Sequence, residues 1–555
     1  AYPFLAYLLT GENGFVERSL QELRGLAHSV TERERGEWTQ HHTWCDAFPF
    51  ARWLIFYDWI YANKLLSDYD REWLDERFLD YIWLHPYQRL RARPLEITPG
   101  NNQNASMAFA CVVGGYMYGV RHGQDTRALR ALDLGLTHLA TFLTQMPRGG
   151  YSHEGSTYMG KVNALIIPPA LDLVAQITGI NLIDHRADQE CATPREVLHA
   201  IMRLAMPSGL MLPWDAYTYD PISFAPAAAY LAMRTGEQRW LGFLEDIGAM
   251  DRPSHIGWGF DNNLWTLLYL LQADITSDVT DSVAPFCHAE PSVGAAATAD
   301  TQRLYAFQMW DRSAWLPTRQ HFNPNNVVME YDGVPLLLDG RIVADAKDRR
   351  FDVPECTVVR PDSGRKSNIG LGTVGAHNTV FLDDQEHFAP HRTSEGRLLA
   401  SHYDKDAAYV EADVTSCFAP EFDVNDVRRA MVVLDGAVLI RDHVSAGSHH
   451  RVNWRAHLLN GALTLSTHRA LLESSQGVQL EVCVPQNATL AHTDFTDDAV
   501  SAPCSGLLPA GCHELNYHVS GETVTLWTLL VPSSRLQSWS PQEAGWEYCF
   551  TASEE

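Results

Sequence analysis

The stretch GGYSHEGSTYMG, Gly149 to Gly160, gathers Tyr151, His153, Glu154 and Tyr158 between glycines and offers no good cysteine or serine nucleophile. Tyr and His held together suit proton transfer rather than covalent catalysis. In PGNNQNASMAF, Asn101, Asn102, Gln103 and Asn104 open a helix. Such a run is either a capped turn or a set of neutral amide donors converging on a carboxylate. HFNPNNVVMEYDGVPLLLDG and GTVGAHNTVFLDD contribute His321, Asp339 and His377. A lone His at a strand start is usually structural. Together the three could gather around one metal ion as imidazole, carboxylate and imidazole, a set that suits zinc, with another divalent metal as the alternative. Arg89, Arg91 and Arg93 precede the Asn run, and Arg341, Lys347, Arg349 and Arg350 follow Asp339. Each alone reads as a solvated surface charge; as two clusters they suit an anionic ligand.

At 555 residues the chain exceeds one ordinary core, which implies two or three domains. The net charge of -26 and the lack of a long basic run argue against general nucleic-acid binding. A polyanionic substrate is still allowed, because local field matters more than total charge. No apolar run is long enough to span a bilayer, so no membrane partner is expected. The chain begins AYPFLAYLL with no basic segment ahead of it, as a secreted or periplasmic protein with its signal removed would. The ten cysteines form no CxxC pair, which argues against a disulfide framework and a cysteine zinc finger. Sixteen Trp and twenty-one Tyr would suit stacking on sugar rings, although the core is the commoner place for any one of them.

The elements that must carry these residues change character along the chain. Up to about residue 275 the pattern is helical. TWCDAFPFARWLIFYDWIYANKLL, YLAMRTGEQRWLGFLEDIGAM and LWTLLYLLQADI are apolar on one face, and NASMAFACVVGGYMYGVRH and KVNALIIPPALDLVAQITG carry small residues that permit close packing. Helices joined by short turns, with no strands between, predict stacked antiparallel pairs in a solenoid or toroid. Residues 276–300, rich in Ser, Thr, Ala and Pro, read as a linker. From 301 to 555 the period becomes two, and NVVMEYDGVPLLLDG, AMVVLDGAVLIRDHV, LTLSTHRALLES, VQLEVCVP and VTLWTLLVP predict strand pairs in an antiparallel sandwich.

The order of these parts resembles the heparinase II/III-like polysaccharide lyases, a superfamily that also includes alginate lyases. The counterparts here are Asn101-Asn102-Gln103, GGYSHEGSTY, QHFNPNNVVMEYDGVPLLLD and AHNTVFLDD, with PSGLMLPWDAY and RRAMVVLDGAVLIRDHV as further similar segments. The resemblance implies an N-terminal (α/α) toroid followed by a C-terminal antiparallel β-sandwich. It implies that Asn102 binds the substrate carboxylate, that Tyr158 is the catalytic tyrosine, and that His321, Asp339 and His377 hold a mainly structural zinc. Gln103 stands where many relatives have a histidine, and Arg319 where another would fall; His153 is the nearest replacement base. Asn104, Arg89, Arg93, Glu154, Trp214 and Arg319 complete the expected substrate contacts, and an acidic polysaccharide is the expected partner.

The implied reaction is β-elimination at a uronic acid. Charge builds on the carboxylate as the C5 proton leaves, so amide or cationic groups must take it up. A base removes that proton and an acid gives one to the leaving O4, and Tyr and His suffice for both. The expected substrate is a glycosaminoglycan such as hyaluronan, chondroitin or heparan sulfate, with alginate as the alternative. Two rival classes stay open: a toroid-type glycoside hydrolase using Glu154 and Asp215, and a non-catalytic glycan-binding protein.

Overall fold

The computed structural model describes residues 3, 6–7, 10–33, 40–99, 101–148, 150, 163–206, 221–249, 255–256, 260–275, 288–290, 294–299, 304–310, 325–338, 378–383, 396–403, 407–434, 436–495 and 512–532. The chain divides into two compact units, residues 1–204 with 221–283, and residues 205–220 with 284–555. The first is helical and the second is built on an antiparallel sheet.

The helical unit contains α1 (Asn13–Arg33), α2 (Gln40–Ala62), α3 (Asp68–Ile82), α4 (Asn102–Tyr116), α5 (Thr126–Thr144), α6 (Ala164–Thr178), α7 (Pro194–Arg203), α8 (Ala225–Thr235), α9 (Arg239–Asp246) and α10 (Asn262–Leu270). Helix α4 lies at its centre, with Ala105 to Ala110 all buried, and packs on α2, α5 and α6. The small residues seen in the sequence have a definite use here. A Cβ on Gly115 would stand 2.6 Å from the Leu132 nitrogen, and one on Gly135 would stand 2.8 Å from the Cys111 Cβ and 2.9 Å from the Ala108 oxygen. Two glycines on facing helices thus let the α4 and α5 backbones touch. Aromatic packing supports α2 from the other side, where Phe50 meets Phe78 edge-on at 5.4 Å.

The expectation of helices without strands needs one correction. Met146–Pro147 pairs antiparallel with Cys191–Ala192, closing a stem around the segment that carries GGYSHEGSTYMG and α6. A two-residue ladder is too short to leave a period-two signal. A second such ladder joins His255–Ile256 to Phe260–Asp261.

The second unit contains β1 (His288–Glu290), β2 (Gly294–Ala299), β3 (Leu304–Met309), β4 (Asn326–Tyr331), β5 (Val334–Leu338), β6 (Val380–Leu382), β7 (Arg397–Tyr403), β8 (Ala407–Asp413), β9 (Val424–Leu434), β10 (Ala437–Leu459), β11 (Gly461–Leu465), β12 (Arg469–Ser474), β13 (Gln479–Cys483), β14 (Ala491–Phe495) and β15 (Cys512–Pro532). The pairing order is β11-β12-β13-β15-β10-β5-β4-β3-β2-β1, with β6 and β9 also on β10, β7-β8-β9 in series, and β14 on β15. Strand β2 also packs against β8 and β9 without a ladder between them, so parts of the sheet face one another. β1 and β2 occupy residues read from composition as linker; GAAATA has too little contrast between its two faces to signal a strand. The β4–β5 hairpin turns at Asp332 and Gly333, both at positive φ (51° and 71°), as an Asp-Gly two-residue turn requires.

Candidate functional site

The Asn run is the start of α4, and its geometry follows from its residue types. Asn101 is the N-cap: its Oδ1 accepts from the Asn104 backbone N–H at 2.9 Å. The turn is closed behind it by the Asn101 N–H donating to the Thr98 carbonyl at 3.1 Å. Asn102 is buried as the first helical residue, and Gln103 is half-buried. Asn104 is fully buried.

Arg93 binds two of these amides at once. Its Nη2 donates to Gln103 Oε1 at 2.7 Å and its Nη1 to Asn104 Oδ1 at 2.9 Å. A guanidinium has only donors, so both amides must present oxygen to it. The Gln103 NH2 therefore faces away from Arg93. The Asn104 NH2 donates to Thr98 Oγ1 at 3.2 Å, and Thr98 Oγ1 lies 2.7 Å from His138 Nδ1 on α5. Asn104, expected at the substrate, thus has both ends of its amide engaged inside the fold.

Arg89 lies in the short helical turn Gln88–Arg91 and is half-buried; burial pulls its pKa below the usual arginine value. His85, in the π-helical turn Trp83–Tyr87, is pushed down to about 4 by burial first and the Arg89 charge second, and is a neutral imidazole at neutral pH. Sequence reading missed His85, Thr98 and His138. A His four residues before Arg89 on one helical face was available as a signal for the first. Nothing local marks the other two.

Tyr158, His153, Glu154, Trp214, Asp215 and Arg319 lie outside the described residues. The flanks of the Tyr158 loop do not. Gly150 has φ +80°, and a Cβ there would stand 2.7 Å from the Val197 Cα of α7. The loop therefore leaves from a backbone contact that only glycine allows. Helix α7 is itself held by a capping box, Thr193 with Glu196.

His321, Asp339 and His377 also lie outside the described residues, and among the described residues no group of three His, Cys, Asp or Glu could hold a metal. Their neighbours meet at one buried polar knot in the second unit. Asn378 donates from its backbone to Asn326 Oδ1 at 2.9 Å and from its side chain to the Val327 carbonyl at 2.8 Å. Its Oδ1 accepts from the His457 backbone at 2.7 Å, and Leu338 is paired with His457 in the sheet. Arg429 donates to the Asn378 carbonyl at 2.6 Å and to the Asn325 carbonyl, and makes a two-pronged pair with Asp442 at 2.6 and 2.8 Å. Beside the knot, burial pushes the Glu514 carboxyl up, but His457 and Arg455 outweigh it and hold it below the usual range.

Among the described residues no helix is long and apolar enough to cross a membrane. The sequence matches no family model and no curated protein. Solved structures share the fold. A heparan sulfate lyase HepC from Pedobacter heparinus superposes with TM-score 0.61 at 11% identity, over 96% of this chain and 74% of that one. The chondroitin AC lyase of Streptomyces coelicolor A3 gives 0.54 at 13% identity, over 94% and 71%. One heparinase III gives 0.53 at 14% identity over 78% of this chain, which spans only 60% of that protein's length. At such identities the likeness is one of fold.

Proposed function

We propose, from a fold shared with heparinase III, heparan sulfate lyase and chondroitin AC lyase, that the protein is a polysaccharide lyase. It cleaves a uronic-acid polymer, a glycosaminoglycan, by β-elimination. In this reading the helical unit is an (α/α) toroid, the second unit is a β-sandwich, and the protein works in the periplasm or outside the cell. The observation that carries the reading is the start of α4, where Arg93 turns the Gln103 amide so that its N–H end faces away from the guanidinium. A helix N-terminus and neighbouring amide donors favour an anion.

Asn102 and Gln103 take up the charge that develops on the substrate carboxylate, where such donors act most strongly in the transition state. The C5–H bond breaks toward the base, His153 or Tyr158. The C4–O4 bond breaks, a C4=C5 double bond forms, and Tyr158 gives a proton to the leaving oxygen. A phenol has a pKa near ~10, so Tyr158 acting as base would need positive charge or donors nearby. Asn104 holds Arg93 and the turn in place. Arg89 supplies positive charge, with Glu154, Trp214 and Arg319 as further substrate contacts.

His321, Asp339 and His377 would hold a zinc ion. The donor set fits, and their described neighbours Asn326, Leu338 and Asn378 lie around one knot. The metal would cross-link these segments structurally. The test of the function is a panel of uronic-acid polymers followed by ultraviolet absorbance. An unsaturated chromophore is expected. Cleavage that leaves saturated ends would replace the reading with hydrolysis.

A further inference from the structure

The bonds behind the Asn run have a direction that the residue types dictate. Arg93 can only donate, so Asn104 shows it Oδ1, and the Asn104 nitrogen must face Thr98. That nitrogen also only donates, so Thr98 Oγ1 accepts from it. The hydroxyl oxygen keeps a second lone pair, but among the described residues His138 Nδ1, at 2.7 Å, is the acceptor in reach of the buried hydroxyl proton, so that proton is best satisfied there. His138 Nδ1 is then an acceptor, and the ring is neutral with its proton on Nε2. Thr98 and His138 are both buried, which makes a reversed or broken bond costly.

We propose that Thr98 and His138 are positioning residues for the substrate-carboxylate site. By ending the chain on an acceptor they lock the Asn104 amide, through it the Arg93 guanidinium, and so which end of the Gln103 amide is turned away from Arg93. Neither touches the substrate; they decide which way round the amides present nitrogen and oxygen. The inference rests on the lyase reading for its functional meaning, but the chain of bonds can be read without it. Burial lowers the pKa of His138, which agrees with a ring kept neutral.

The test uses the full chain with labelled Asn and Gln side-chain amides, and three variants. His138→Leu removes the acceptor. His138→Asn replaces it with an amide oxygen near the Nδ1 position. Thr98→Val removes the hydroxyl at constant shape and guards against misfolding in the first variant. Expected are shifted Asn104 and Gln103 amide resonances in His138→Leu and Thr98→Val, with kcat reduced about tenfold to a hundredfold and KM changed by less than about threefold. His138→Asn should restore both. Unmoved Gln103 resonances in His138→Leu and Thr98→Val, or equal impairment by His138→Asn and His138→Leu, overturn the proposal. A wild-type protein that forms no unsaturated product from any polymer overturns the lyase reading instead, and the resonances then decide the positioning claim alone.

Discussion

The helical unit and the sheet unit each bury an arginine-centred polar network, and the two are built on opposite plans. In the sheet unit Arg429 is wholly buried and closes on Asp442 and on two backbone carbonyls, so charge and donors are consumed inside. At the start of α4, Arg93 is only partly buried, and its acceptors include two neutral amides, one of which is half-exposed. A closed network of this kind ties strands together; the one at α4 includes a half-exposed amide, Gln103. The difference teaches that burial of an arginine says little about its task until its acceptors are named.

The comparison breaks most visibly on the helical side. Tyr158→Phe removes one hydroxyl and should lower the rate of unsaturated-product formation by about 10²–10⁴ without altering the melt. A variant with wild-type rates on every polymer would sink the mechanism. Asn102→Ala should come next, with kcat down about 10²-fold or more and KM little changed, in steady-state kinetics. If turnover stays near normal, the role passes to Gln103.

On the closed side the effect should be on stability. Arg429→Met leaves Asp442 buried and uncompensated and should cost about 3–5 kcal/mol in denaturant unfolding, while Arg429→Met with Asp442→Leu should recover much of it. Equal loss in both would mean that the carbonyl contacts, rather than the charge pair, hold the knot. His377→Ala should lose about one equivalent of zinc by elemental analysis and lower the melting temperature. Metal-free wild-type protein of unchanged stability would remove the metal from the picture.

The smallest effect is a pH slope. His85 titrates at about 4 in the folded chain and near ~6.5 when unfolded, so the unfolded state binds the extra proton. Its contribution is complete above ~6.5 and is lost as pH falls from there toward 4. His85→Gln should flatten melting temperature against pH across that window. An unchanged slope would mean that the imidazole is not held neutral.

Much of this was legible in the sequence, and what was missed has identifiable causes. The β4–β5 and β9–β10 hairpins announce themselves through Asp-Gly between alternating runs. Small residues around Gly114 and Gly115 marked α4 as a close-packing helix. The alternating run AVLIRDHV predicts β10 only as far as Val444; in the fold the register shifts between Ser445 and His450 and the strand continues. The Arg429–Asp442 pair could have been found. With Leu434 opposite Ala437, counting back along the hairpin sets Arg429 opposite Asp442. Thr98 and His138 could not, since they meet across forty residues of sequence and a His on a helix face is usually a satisfied core residue. Tyr158, His153 and the three metal candidates were singled out by residue type together with the family resemblance, and they lie outside the described residues.

The glycine contact between α4 and α5 bears on how this protein could be engineered. Replacing a helix glycine with alanine is a routine thermostabilising exchange, worth about 1 kcal/mol in an open helix. At Gly135 the added methyl would meet the Ala108 oxygen and the Cys111 Cβ, and would wedge the two backbones apart. His138 sits one turn farther along the same helix, so the wedge would lengthen its contact with Thr98. A library selected for heat resistance alone could therefore accept substitutions along this seam that loosen the amide turn. Screening for turnover in the same round would keep the seam intact.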